Sequence, residues 1–248
     1  ELFGGYRSFR ELSKLRLASR LGSPLPLPLL RAAARAFTRL KTGAAGEVGP
    51  QTRWGKLGDV FATRGDLRNA YQVSYGLFTT DFLSELCLPV LDGLTTFGLG
   101  PERVRRMGRL VEGASPLHAV TQLELASFVG DRLLPDTDCA SMAASIEVRV
   151  PLLDHRVVEE AARLDPSVRY EPLGKKMALR RAALERLDPS IFDRPKSGFV
   201  LPIEPWSRDA LEDRIRDAFG DRVRCASVGL DSQALGRLWR AYREGAPG

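Results

Sequence analysis

Residues 136–156 read Asp-Thr-Asp-Cys-Ala-Ser-Met-Ala-Ala-Ser-Ile-Glu-Val-Arg-Val-Pro-Leu-Leu-Asp-His-Arg, and a second stretch at 194–199 reads Arg-Pro-Lys-Ser-Gly-Phe. Between Asp136 and Arg156 four charged side chains, Asp138, Glu147, Arg149 and Asp154, are threaded through a largely apolar run that a buried strand or turn would keep uncharged. Taking one unpaired ion out of water costs on the order of several kcal/mol. Such a run predicts either an internal ion-pair network on a pocket floor or the wall of a site that a charged ligand completes. No strand-helix alternation and no repeat of fixed period surrounds it, so the fold is expected to be mainly α, without a complete parallel sheet.

Working outward toward the start, Glu1-Leu-Phe-Gly-Gly-Tyr6 places two glycines between aromatic residues, the composition of a tight turn beside a ligand or another chain segment. Phe9, Leu12, Leu15 and Leu17 give Arg7 to Leu21 a helical period, which Gly22 and the prolines at 24, 26 and 28 stop. A second helix is expected over Leu29 to Lys41. Its Arg31, Arg35 and Arg39 form a solvated basic face, and without interleaved aromatic residues it is no nucleic-acid stripe. Residues 43–50 read as a linker, and 54–88 as further helices broken at Gly58 and Gly65. Pro101 and Ser115-Pro116 each open a helix, the latter carrying Leu117, Val120, Leu123, Leu125, Phe128 and Val129. Asp154 is placed to cap a helix beginning near His155.

A chain of 248 residues with 44% hydrophobic content can bury a sizeable core. Its 37 basic and 31 acidic side chains, net +6, favour anionic partners without choosing among them. Cys87, Cys139 and Cys225 are too far apart for a CxxC site and odd in number, which fits a reducing cytoplasm, and Cys139 is expected to pack as a small apolar residue. His118 and His155 have no second ligand at metal spacing, so no protein-held metal is expected. No apolar run is long enough to span a bilayer, and no Gly-x-Ser-x-Gly elbow marks a hydrolase. Position 1 is not Met, which points to material upstream.

The residues from Leu133 to Glu159 resemble the D-x-x-S-M-A-x-S-x-E-V-R-V-P-[FL]-L-D-H-R segment of glutamine-hydrolysing asparagine synthetases. Three more stretches agree in order. Glu1 to Tyr6 is similar to the end of the S-G-E-G-x-D-E-L-F-G-G-Y signature, Lys176 to Arg180 to the K-x-x-L-R helix, and Arg194 to Trp206 to R-P-K-x-G-F-x-x-P-[IL]-x-x-W. The likeness runs from residue 1 to about residue 220, which would make 1–220 the C-terminal part of the synthetase domain and 221–248 its terminal helix and frayed end. It implies the C-terminal helical portion of an α/β ATP-pyrophosphatase-type domain, of the adenine nucleotide alpha hydrolase-like class.

The implied chemistry uses ATP and Mg²⁺ to adenylate the β-carboxylate of aspartate, after which ammonia derived from glutamine gives asparagine. The resemblance makes Lys196 the catalytic cation on the phosphates, Glu1 a neighbour of Mg²⁺-pyrophosphate, and Lys176 and Arg180, at i and i+4 on one helix face, a second basic contribution. For Lys176 and Arg180, pairing with Glu147 or Asp154 is the structural alternative. Asp138, Glu147, Arg149 and Asp154 are read as pocket floor or structural network. The S-G-G-x-D-S pyrophosphate loop and the glutaminase domain are not in these residues, so this stretch alone is expected to be inactive, and a homodimer of the full-length protein is left open. Relatives activating another carboxylate, such as β-lactam synthetases and lasso-peptide cyclases, and a non-catalytic helical interaction module are the alternatives. Ser227-Val-Gly-Leu-Asp-Ser232 mimics the pyrophosphate loop, but Val228 replaces the glycine whose backbone must approach phosphate, and a helix cap at Asp231 or Ser232 explains the letters.

Overall fold

A computed structural model describes residues 1–22, 24–42, 54–89, 97–192 and 201–245. The chain is mainly helical, with no strand among the described residues; Cys87 and Leu230 form an isolated antiparallel bridge. It divides into two compact units, one of Glu1–Leu17 and Val104–Pro195, the other of Ala18–Arg103 and Lys196–Gly248. No described helix is long and apolar enough to cross a membrane.

In the first unit the helix Arg7–Leu21 contributes Phe9 and Leu12 to the interior, which Leu2, Val120, Leu123 and Tyr170 complete. The rings of Phe9 and Tyr170 lie 5.9 Å apart. Pro116 opens the helix Pro116–Leu123, where its missing N–H is no loss. A π-helix, Glu124–Leu133, follows, and the helix Leu134–Met142 continues from it. Wider turns of this kind are rare and shift the side-chain register, so residues beyond the junction no longer follow the 3.6-residue spacing. The helices His155–Arg163 and Pro166–Tyr170 begin at Asp154 and Asp165, whose carboxylates accept from the N–H of Arg156 and Ser167, both at 2.9 Å.

The 136–156 run departs from expectation. Residues 136–142 are helical and nearly all exposed, and 146–150 belong to no helix or strand. Within 146–150 the apolar residues are Ile146, Val148 and Val150, and the charged ones Glu147 and Arg149. With no sheet among the described residues to cover them, the three apolar side chains are 42–57% exposed. Cys139, expected to pack, is exposed on the same stretch.

In the second unit Phe82, Leu86, Cys225, Ala234 and Leu235 form a core that Phe78, Phe219, Leu230 and Leu238 surround. Asp231 caps the helix Ser232–Arg243, accepting from Ala234 N at 2.7 Å, and a helix, Arg222–Ser227, precedes the loop where a phosphate loop would need a strand. Ser227 to Ser232 is therefore a helix-to-helix connection. Gly65, at φ +81°, is a true break, whereas Gly58 lies inside the helix Leu57–Ala62. Asp59 there is buried and accepts from the amide of Thr80 at 3.0 Å and from its hydroxyl, tying this helix to Thr80–Leu86.

Candidate active site

The turn Glu1 to Tyr6 is seated in the first unit by segment 169–176. Arg169 Nε donates to the Leu2 carbonyl at 2.8 Å, and Gly174 N to the Gly4 carbonyl at 2.8 Å. Thr121 Oγ1 stands 3.4 Å from the Glu1 carbonyl, 3.2 Å from that of Leu117 and 2.9 Å from the Tyr170 hydroxyl. A threonine hydroxyl has one hydrogen, so Thr121 serves one of the two carbonyls at a time.

The glycines are needed for different reasons. Gly4 sits at φ +63°, and a Cβ there would come within 3.0 Å of Leu173 and 3.1 Å of Tyr170. At Gly5 a Cβ would fall 1.9 Å from Lys176 Cε. The lysine stem therefore lies directly over the turn, with Nζ 5.9 Å from the centre of the Tyr6 ring. Lys176 itself is in the left-handed region at φ +52° and caps the helix Met177–Ala183. This corrects the expectation of one helix face: Lys176 precedes the helix, and Arg180 lies one turn in, its amide bonded to the Lys176 carbonyl at 3.0 Å.

The Tyr6 hydroxyl hydrogen-bonds Glu1, and burial, the Glu1 charge and the Glu124 charge all push its pKa upward. Tyr6 thus stays protonated well past neutral pH and acts as a donor to Glu1. Glu124 opens the π-helix at 0% exposure, and Phe128, one turn on, packs edge-on against the Tyr6 ring at 5.9 Å. The result is a carboxylate oriented by a phenol, a second carboxylate behind it and a lysine above. Such a group can steer a cation or a proton on one side and an anionic oxygen on the other.

The sequence-predicted residues divide accordingly. Glu1 and Lys176 meet around Tyr6. The Glu147 carboxylate pairs with Arg149 at 2.9 Å, and Asp154 with Arg156 at 3.1 Å. Asp138 is exposed on its helix, its carbonyl accepting from the Ser141 hydroxyl at 3.2 Å. The four charges do not form the buried network expected of them. Asp138, Glu147 and Arg149 are exposed, and Asp154 is half-buried as a helix cap. Lys196 and the Arg-Pro-Lys-Ser-Gly-Phe loop lie outside the described residues.

Sequence reasoning missed Glu124, Thr121 and Arg169. Glu124 had a signal, since it follows Val120 by four residues and so continues that buried face. Arg169 had none. Among the described residues no three His, Cys, Asp or Glu side chains converge as a metal-binding group, although an ion held mainly by phosphate and water oxygens needs only one carboxylate. A cavity of about 230 Å³ in the second unit, walled by Val73, Leu77, Phe78 and Phe97, is a weaker candidate because its one acid, Asp59, is engaged by Thr80.

A sequence profile of the family described as "Asparagine synthase" matches residues 1–247. This chain belongs to the asparagine synthase family. Similar proteins include a "Putative asparagine synthetase (glutamine-hydrolyzing)" of Mycobacterium bovis, 30% identical over 209 residues, covering 84% of this chain and 29% of the relative. A protein of Mycobacterium tuberculosis H37Rv has the same description and figures. "Asparagine synthetase (glutamine-hydrolyzing) 1" of Bacillus subtilis is 25% identical over 219 residues, 88% of this chain and 32% of that protein. The chain thus spans about a third or less of these relatives. No solved structure gives a significant match.

Proposed function

We propose that the intact protein is an ATP- and Mg²⁺-dependent ligase that makes asparagine from aspartate and glutamine-derived ammonia, and that these residues form the helical part of its ATP-pyrophosphatase-type synthetase domain. The observation that carries this reading is the Glu1 carboxylate held against Tyr6 beneath Lys176, in a chain that matches the family along its length. An oxygen of the aspartate β-carboxylate attacks the α-phosphorus of ATP. A C–O–P link forms, the bond between the α- and β-phosphoryl groups breaks, and pyrophosphate departs. Ammonia then attacks the acyl carbon, a C–N bond replaces the C–O bond, AMP leaves and a proton is released.

Charge accumulates on the departing pyrophosphate, so fixed cations aimed there lower the barrier. Lys176, Arg180 and Lys196 are assigned that work, and Glu1 would help hold a Mg²⁺ ion, which would supply further positive charge where the phosphate charge develops. A lysine about 4 Å from a phosphate charge contributes about 4 kcal/mol at an effective dielectric near 20. Lys196→Ala should therefore lower kcat by about 100-fold or more. The S-G-G-x-D-S loop is not among these 248 residues, so turnover is assigned to the intact protein and not to this stretch alone.

The test is pyrophosphate release by the intact protein with ATP, ammonia and either aspartate or other carboxylates. Release that depends on aspartate and is lost in Lys196→Ala is the expected result. Turnover without aspartate would move the assignment to a relative that activates another acid, and full activity of Lys196→Ala would remove the lysine from the chemistry.

A further inference from the structure

Arg169 is a costly residue where it stands. It is 2% exposed, burial pushes its guanidinium pKa down, and Nη1 has no hydrogen-bond partner among the described residues. Its compensation is the Leu2 carbonyl on Nε and the face of Tyr170, whose ring centre is 4.9 Å from the guanidinium carbon. A buried charge satisfied this incompletely generally contributes less to stability than an apolar side chain of the same volume. What it does supply is direction. A guanidinium is a rigid planar fork, and it holds the carbonyl adjoining Glu1 from a helix 167 residues away in sequence.

The rest of the seat agrees. Gly174 takes the Gly4 carbonyl from the same segment, Tyr170 packs under Gly4, and Lys176 lies over Gly5. The turn is gripped on both faces, and the gripped backbone ends at the one carboxylate that meets Tyr6.

We propose that Arg169 is a positioning residue: by holding the Leu2 carbonyl it fixes the Glu1 carboxylate against the Tyr6 hydroxyl and so sets where Glu1 meets the nucleotide. The catalytic half of this statement rests on the ligase reading; the positioning half does not. Tyr6 reports on it directly, since the Glu1 and Glu124 charges act on its hydroxyl and Lys176 lies over its ring.

The experiment uses the intact protein as Arg169→Met, Arg169→Lys, Glu1→Gln and the double variants, with two readouts. The first is the ¹⁹F titration of a fluorotyrosine placed at position 6. Removing a positive charge alone would raise its midpoint. Loss of the Glu1 contact lowers it, and a lower midpoint in Arg169→Met is the expected result, with no further fall when Glu1→Gln is added. The second is pyrophosphate release. Arg169→Met should lose about 10–100-fold in kcat, the scale of a misplacement of about 1 Å, while KM for ATP changes less than about twofold. Arg169→Lys should recover most of that loss, because an ammonium can still reach the carbonyl.

Combined with Glu1→Gln, the Arg169→Met loss should not multiply, because both act through one group. An unchanged or raised midpoint, or losses that multiply, would overturn the proposal. If Arg169→Met does not fold, Arg169→Leu, which equally cannot donate to the Leu2 carbonyl, takes its place in the same cycle with Glu1→Gln and is judged by the same criterion. If the unaltered protein releases no pyrophosphate with any acid, the ligase reading fails while the titration still settles the positioning.

Discussion

Gly4 and Gly5 are adjacent and equally buried, yet substitution should separate them. Alanine at Gly4 meets backbone strain at φ +63° together with close contacts to Leu173 and Tyr170, so it should cost about 1–3 kcal/mol of stability, seen as a lower urea midpoint at unchanged slope. Alanine at Gly5 collides with the stem of Lys176, a flexible side chain that can swing aside. Its expected effect is a urea midpoint close to the parent's but a raised KM for ATP, because the lysine has left its place. If Gly5→Ala instead lowers the urea midpoint and leaves KM for ATP unchanged, Lys176 is packing and not a ligand. The charged residues of 138–154 show the limit of reading single letters. Their sequence environment is apolar, but exposure depends on what packs against them, and the described chain brings nothing to cover Ile146, Val148 or Val150.

The helices were largely legible because their ends carry local chemistry. Arg7–Leu21 runs to the glycine that stops it, Pro101 and Pro116 sit at first-turn positions, and Asp154 and Asp231 cap as their sequence context predicts. What stayed illegible is tertiary in origin. Lys176 is left-handed where its stem lies over Gly5, and the π-helix from Glu124 carries Phe128 against the Tyr6 ring. Asp66 adds a test at this level. It caps the helix Leu67–Tyr75, accepting from Arg68 N at 2.9 Å and Asn69 N at 3.0 Å. Burial raises its pKa, but the Arg68 side chain, the two amides and the Arg68 charge outweigh burial and hold it below the ordinary carboxylate range. A group whose pKa is depressed on folding stabilises fully above its unfolded value, and that contribution is lost as pH falls through the folded value. Asp66→Ala should therefore cost about 1 kcal/mol at neutral pH, and the difference from the parent should shrink in acid below the usual carboxylate range, measured by urea unfolding across pH.

At the scale of the whole molecule, residues 146–150 are an exposed stretch of the first unit that lies outside any helix or strand. Arg149 is exposed, and its backbone there belongs to no helix or strand. Limited trypsin digestion of the 248-residue chain should cut after Arg149 under conditions that leave Arg10 intact, read by mass spectrometry; the two should be cut alike only if the helix Arg7–Leu21 opens as easily. The outward-facing isoleucine and valines have a practical side as well. Sulfate salts strengthen apolar association and mild urea weakens it, so the purified chain should precipitate early on salting out and stay dispersed in dilute denaturant. Threonine at positions 146, 148 and 150 would keep the β-branched shape, add hydroxyls and give a better-behaved sample for the spectroscopy that Tyr6 invites.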